Sequence, residues 1–520
     1  MATAMQNSRF ACVFALLAAG AHADIVRIDS GRIRGTVTAD PDVRVYRGIP
    51  FAQPPVAKLR WRPPQPVAAW PEVRDCVAYG PSCVQPAAKI IKEVEGERSE
   101  DCLYLNVWTS GTTGVRRPVM VWIHGGGFTI GSGAQKEYDG QSFAANGAVL
   151  VTINYRLGPL GFMAHPALSA ESPRGISGNY GLLDQIAALQ WVKRNIAAFG
   201  GDPRNVTIFG ESAGGVSVGC LLASPLAKGL FHRAIMQSGV AARSTPLRGT
   251  PVRGKSAETA GIEVARQLGI QGNAKAAALR AVPADKLLKA ANPRVGLFGK
   301  GQPFWPCVDG HVLPEPPLET IVSGEHNDVP VMLGSNADEG TLFLRQLPIK
   351  RPMGYRWLLR TMFREDASRV QEIFPVTSAA DVKTALNRVV TASGFVATTR
   401  RVARALADAR SPVWLYHFSR VSPIAERTGM GATHGAEIMY VFRTLPRWLQ
   451  AEADKAVAET MHAAWLRFAQ TGDPNGGNLP KWLSYTPQND AHLTFGDSPE
   501  AGRDLLRKEC DLFDEIAPRR

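Results

Sequence analysis

Six short, almost uninterrupted apolar runs constrain this chain more than any other feature. Val119-Met120-Val121-Trp122-Ile123, Val149-Leu150-Val151-Thr152-Ile153 and Val206-Thr207-Ile208-Phe209 come first. Ala234-Ile235-Met236, Val329-Pro330-Val331-Met332-Leu333 and Val413-Trp414-Leu415-Tyr416 follow. Side chains alternate between the two faces of a strand, so runs without polar alternation predict strands covered on both sides. Between them Leu182, Ile186, Leu189, Val192, Ile196 and Phe199 recur at three- and four-residue steps, one apolar stripe of a helix over 181–199. Strands alternating with helices predict an α/β fold: a mostly parallel central sheet with helices on both faces.

The chain opens differently. Val26-Arg27-Ile28 and Ile33-Arg34-Gly35-Thr36-Val37 flank Asp29-Ser30-Gly31, the chemistry of a hairpin turn. A proline-rich stretch from Ile49 to Pro66 excludes both helix and central strand, and is expected to wrap the surface or a cleft. Two stretches, ~245–325 and ~345–410, lean helical and are expected to cap the strand ends where a ligand would bind. The 520 residues, 45% of them hydrophobic, provide ample material for a large core. No composition break cuts out a second domain, so residues 24–520 read as one unit.

Residues 1–23 read as an export signal. Arg9 precedes the apolar run Phe10–Gly20, which is too short for a bilayer span of about 20 residues. Ala21-His22-Ala23 then supplies a small-residue cleavage site, placing the mature start at Asp24 in a secreted or periplasmic protein. No later run is long enough for a membrane span. Net charge is +13, but the cations are scattered, without the basic stripe and interleaved aromatics of a nucleic-acid binder. Six of the seven cysteines lie beyond the signal, and an oxidising compartment permits disulfides among them. No C-x-x-C or H-x-x-x-H spacing occurs, so no metal is expected.

The motif richest in chemistry is Gly210-Glu211-Ser212-Ala213-Gly214, a G-x-S-x-G between the strand Val206–Phe209 and the small-residue helix beginning Ala213-Gly214-Gly215. A serine on so sharp a strand-to-helix turn needs tiny neighbours, and the turn projects its hydroxyl into a cleft. A second motif, His124-Gly125-Gly126-Gly127-Phe128, follows the strand Val119–Ile123. Its glycines let backbone N–H groups of Gly126 and Gly127 converge with that of Ala213 as an oxyanion hole. A phosphate loop is excluded, because Gly131-Ser132-Gly133 leads to Ala134-Gln135 rather than to Lys-Ser or Lys-Thr.

A serine nucleophile needs an imidazole to take its proton and a carboxylate to hold that imidazole. Of ten histidines, His434 sits among small residues in Gly431-Ala432-Thr433-His434-Gly435-Ala436, while His124 belongs to the glycine loop. For the acid, Gly334-Ser335-Asn336-Ala337-Asp338-Glu339-Gly340 follows a predicted strand. Chemistry alone does not choose between Asp338 and Glu339.

These motifs resemble the type-B carboxylesterases, the family that includes the cholinesterases. Further similar segments are Tyr46-Arg47-Gly48-Ile49-Pro50-Phe51-Ala52, Ser99-Glu100-Asp101-Cys102-Leu103-Tyr104-Leu105-Asn106-Val107 and Asn179-Tyr180-Gly181-Leu182-Leu183-Asp184-Gln185. Gln237-Ser238-Gly239 and His434-Gly435-Ala436-Glu437 complete a likeness that covers nearly the whole mature chain. The resemblance implies the α/β-hydrolase fold and a triad of Ser212, Glu339 and His434. It also implies a disulfide between Cys83 and Cys102, and leaves Cys76, Cys220, Cys307 and Cys510 unassigned.

The implied activity is hydrolysis of small-molecule carboxylic esters through an acyl-enzyme, without cofactor. Phe128, Leu342 and Phe343 adjoin the expected site and predict apolar walls, suited to small, medium or aromatic esters. The interval from Val84 to Asp101 holds no tryptophan, which argues against the choline esters of the family's cholinesterases. Alternatives are a lipase, a specialised natural-product esterase, an acyltransferase using the same acyl-enzyme, or a non-catalytic binding protein on the same fold. The last of these typically lacks the nucleophile or the histidine, and both are present.

Overall fold

A computed structural model describes residues 22–87, 96–111, 114–242, 244–251, 254–271, 275–298, 301–345 and 347–517. The expected export signal lies outside them up to residue 21. A thirteen-stranded sheet forms the middle of the molecule. In chain order its principal strands are β1 (His22–Ile28), β2 (Gly31–Val37), β3 (Arg44–Pro50), β4 (Tyr104–Thr109), β5 (Arg117–Ile123) and β6 (Val149–Ile153). The remainder are β7 (Gly201–Glu211), β8 (Arg233–Gln237), β9 (Val331–Asn336), β10 (Val413–Phe418), β11 (Ala491–Phe495) and β12 (Pro499–Arg503). In space they run β1-β2-β3-β4-β6-β5-β7-β8-β9-β10-β11-β12, and the short strand Val73–Asp75 pairs with β2.

From β6 to β11 every pairing is parallel. The flanking pairs β1–β2, β3–β4 and β11–β12 are antiparallel hairpin-like additions. All six apolar runs fall within this parallel block or border it. The run beginning Val329 enters its strand only at Val331, because Pro330 has no N–H to give the ladder; its carbonyl instead accepts from Ala234.

Strand alternation divides the apolar side chains between two cores. Val119, Val121 and Ile123 of β5 face one, and Met120 and Trp122 face the other. The first core is closed by α1 (Tyr180–Asn195) and α2 (Ala213–Ala223). A 3₁₀ turn over Ile196–Phe199 finishes the expected helix, and Gly200 stops it at φ 77°.

Of the two stretches expected to cap the strand ends, the second is largely helical, with α3 (Gly340–Leu344), α4 (Pro352–Phe363), α5 (Asp381–Val390) and α6 (Ala397–Leu406). Leu344 of α3, Tyr355 of α4, Leu386 of α5 and Ala397 at the start of α6 belong to a third apolar cluster, while Val402, Ala403 and Leu406 of α6 join the first core. The other core is covered by α7 (Glu452–Thr471), through Val457, Met461, Trp465 and Phe468. Among the described residues no helix is long and apolar enough to cross a membrane.

Candidate active site

Four loops that follow the carboxyl ends of parallel strands, β5, β7, β9 and β10, meet around Ser212. Between β7 and α2 the backbone turns so sharply that Ser212 is held at φ 56°, ψ −120°, a strained conformation for a residue with a Cβ. The surroundings leave room for nothing larger than glycine. A Cβ on Gly214 would lie 1.9 Å from the Ile123 carbonyl oxygen, and one on Gly239 would lie 2.0 Å from that of Ser212. The Ser212 N–H donates to Gln237 O at 2.8 Å, which fixes the turn against β8.

His434 reaches the serine from the far end of the chain. Its Nε2 lies 2.8 Å from Ser212 Oγ, and its Nδ1 lies 2.6 Å from Glu339 Oε2. The second Glu339 oxygen accepts the Asn336 N–H at 2.7 Å, so the carboxylate is fully occupied and fully buried. Asp338, next door, points elsewhere. It accepts from Ala432 N at 2.9 Å and Asn387 Nδ2 at 2.7 Å, tying the acid loop to the histidine loop. Two neighbouring carboxylates that chemistry alone does not tell apart thus make separate contacts in the fold.

Burial alone would keep the His434 imidazole neutral, but the carboxylates of Glu211 and Glu339 outweigh it and raise its pKa. Glu211 Oε1 stands 3.1 Å from Nε2. Burial raises the pKa of Glu211 itself. With its proton on Nδ1, held by Glu339, the ring presents a lone pair to the serine hydroxyl, the arrangement needed to remove that proton as oxygen attacks an electrophile.

The glycine loop supplies the complementary half. Gly126 adopts φ 101°, where a Cβ would collide with Ile130 O at 2.1 Å. Gly127, at φ 64°, has nothing within 4 Å of its missing Cβ and borders open space. Among the described residues none accepts a hydrogen bond from the N–H of Gly126 or Gly127. His124 supports this loop from beneath. Its Nδ1–H donates to Gly125 O at 2.8 Å, its ring stacks on Tyr155 at 4.5 Å, and Tyr155 OH donates to His124 O at 2.8 Å. Burial lowers the His124 pKa to about 4, so the ring is a neutral strut.

Residues 22–513 match the family model described as the carboxylesterase family. The chain belongs to the carboxylesterase family. It is accordingly a serine-type carboxylic ester hydrolase. Among curated relatives, fumonisin B1 esterase of Sphingopyxis macrogoltabida is 40% identical, the match covering 92% of this chain and 87% of the relative. The para-nitrobenzyl esterase of Bacillus subtilis is 37% identical over 92% of this chain and 97% of its own. A solved carboxylesterase of Geobacillus stearothermophilus superposes with a TM-score of 0.81 at 36% identity, covering 94% of this chain and 99% of that one.

Apolar walls surround the carboxylesterase's reactive group, though not all from the expected residues. Phe343 packs against the His434 ring with centroids 5.0 Å apart. Phe395, which the sequence did not single out, does so at the same 5.0 Å and stacks on Phe343. It lies in a π-helical segment, Thr391–Val396, whose wider turn joins α5 to α6; nothing in the periodicity marks such a turn. Phe128 is fully buried behind the glycine loop, edge-on to Phe162 and to the half-exposed Trp305. Leu342 is half-buried on α3.

Ser238 does not bond Glu339; its N–H donates to Gly334 O and its buried hydroxyl has no partner among the described residues. Glu437 is fully buried, accepting from Gln237 Nε2 at 3.1 Å and Asn336 Nδ2 at 2.6 Å, so it braces both loops from behind. Cys83 and Cys102 form a disulfide, while Cys76, Cys220, Cys307 and Cys510 are buried free thiols.

Proposed function

We propose that this carboxylesterase hydrolyses small to medium, apolar or aromatic esters through an acyl-enzyme on Ser212. His434 is the general base and then the general acid, and Glu339 orients and stabilises its charged form. The observation that carries this reading is the His434 ring, 2.8 Å from Ser212 Oγ on one side and 2.6 Å from Glu339 on the other. Ser212 Oγ attacks the ester carbonyl as its proton passes to Nε2. The N–H groups of Gly126, Gly127 and Ala213 receive the developing oxyanion, each donor of this kind contributing about 10²–10³ in rate. The imidazolium then protonates the leaving alcohol, and water activated by the same nitrogen releases the acid.

Phe343 and Phe395 form one wall of the substrate site, continued by Leu342. Phe128 shapes the opposite side through Trp305. Residues 24–520 act as one catalytic unit, exported with cleavage after Ala23; Asp24 would then lead the remaining part of β1. A second reading, a specialised natural-product esterase, is favoured by the 40% identity to a fumonisin B1 esterase.

The test is hydrolysis of p-nitrophenyl esters from acetate to palmitate by the mature protein and by Ser212→Ala. The reading expects a short-to-medium optimum, abolished in the variant. A palmitate optimum would instead make it a lipase, and equal activity of the two proteins would remove Ser212 from the mechanism.

A further inference from the structure

Between Glu339 and Glu365 the chain has no acidic residue but carries six cations: Arg345, Lys350, Arg351, Arg356, Arg360 and Arg364. All six are exposed, and none makes an ion pair among the described residues. The helix α4 runs through the middle of this segment. Met353, Arg356, Trp357 and Arg360 lie at i, i+3, i+4 and i+7, which puts them on one face. That face is turned outward: Met353 is 72% and Trp357 63% exposed.

A fold with no other use for this face would not be expected to build it. Arg356 and Arg360 are like charges four apart, which destabilises a helix unless something outside supplies the counter-charge. Trp357 and Met353 leave large apolar surfaces in water beside them, although the opposite face of α4 is well satisfied by Tyr355, Leu358, Leu359 and Phe363 in the third core. Tryptophan and arginine side by side suit one kind of partner in particular. At a bilayer surface an indole settles at headgroup depth, and guanidinium groups bind the anionic headgroups around it.

We propose that the outer face of α4 is a docking surface for an anionic phospholipid bilayer. Trp357 and Met353 enter the headgroup layer, and Arg356 and Arg360 on the same face provide the attraction, aided by the neighbouring exposed cations, each worth up to about fivefold in partitioning near the surface. Because α4 shares its core with Leu344 and Val396, docking would hold the layer that carries Phe343 and Phe395 against the membrane, where apolar esters concentrate.

The experiment is cosedimentation of the mature protein with vesicles of phosphatidylcholine alone or with 30 mol% phosphatidylglycerol, at low and high salt. The wild type should partition onto the anionic vesicles only, and 0.5 M salt should release it. Arg356→Gln combined with Arg360→Gln should weaken partitioning about tenfold or more. Trp357→Gln should remove the fluorescence quenching caused by brominated lipids. Hydrolysis of soluble p-nitrophenyl acetate should stay unchanged in every variant, showing that each is folded. The proposal is overturned if the wild type ignores anionic vesicles or if the variants partition equally. It is also overturned if Trp357→Gln dissolves a dimer of the wild type that binds no lipid.

Discussion

The strand-end loops and the helical layer over them are held by different forces. The loops after β5, β7 and β9 are fixed by backbone: missing Cβ atoms at Gly214 and Gly239, an N–H from Ser212 to Gln237 O, and one from Asn336 to Glu339. The layer from α3 to α6 is fixed mainly by packed side chains of the third core, and its Phe343 and Phe395 rings lie against His434. Backbone contacts tolerate no substitution, whereas packed side chains can be exchanged for others of similar volume. On the proposed function, chemistry belongs to the first region and substrate preference to the second.

The comparison breaks most visibly at the acid. Glu339→Gln keeps the shape but loses the charge that stabilises the imidazolium, and kcat should fall by about 10⁴. Asp338→Asn, one residue away, should cost less than about tenfold, since an amide oxygen can still accept from Ala432 or Asn387. Steady-state rates on p-nitrophenyl acetate compare the pair, and equal losses would contradict the separation of the two carboxylates.

Gly126→Ala should come next. Its Cβ meets Ile130 O at 2.1 Å, so the loop must shift and misplace its N–H groups. A loss of about 10²–10³ in kcat is expected, with little change in KM. Phe395→Ala, in the helical layer, should do the opposite. It should shift the acyl-chain optimum toward longer esters, leaving kcat on the acetate within about tenfold. An unchanged chain-length profile would remove Phe395 from the substrate wall.

The smallest expected effect is a shift along the pH axis. Burial lowers the His434 pKa and Glu211 raises it, so Glu211→Gln takes away a charge that favours the protonated ring. His434 would then be a free base at lower pH. The acidic limb of kcat/KM should move to lower pH, and a limb that moves upward or stays in place would contradict the field assigned to Glu211.

Legibility in the sequence follows the same division. The parallel strands could be read because burial on both faces leaves continuous apolar runs, and the elbow and glycine loop because steric exclusion demands glycine at fixed spacing. Ser212, Gly126 and Gly127 could be singled out for that reason, whereas His434 was chosen among ten histidines mainly through the family resemblance. Chemistry alone did not separate Glu339 from Asp338, and only the family resemblance pointed to Glu339, because the choice depends on hydrogen bonds from Asn336, Ala432 and Asn387 that form only in the fold. Phe395 was hidden because a π-helical turn breaks the 3.6-residue period that would have assigned it a face. Phe128 follows the glycine loop in sequence, yet the positive φ of 58° there turns its ring into the core.

The most direct test of Ser212 as the acyl carrier is mass spectrometry of the mature protein after reaction with a p-nitrophenyl phosphonate. One phosphonyl group per chain is expected on the peptide containing Ser212, with stoichiometric loss of esterase activity and no labelling of Ser212→Ala. Full inactivation with the label on another residue, or undiminished activity with Ser212 labelled, would contradict it.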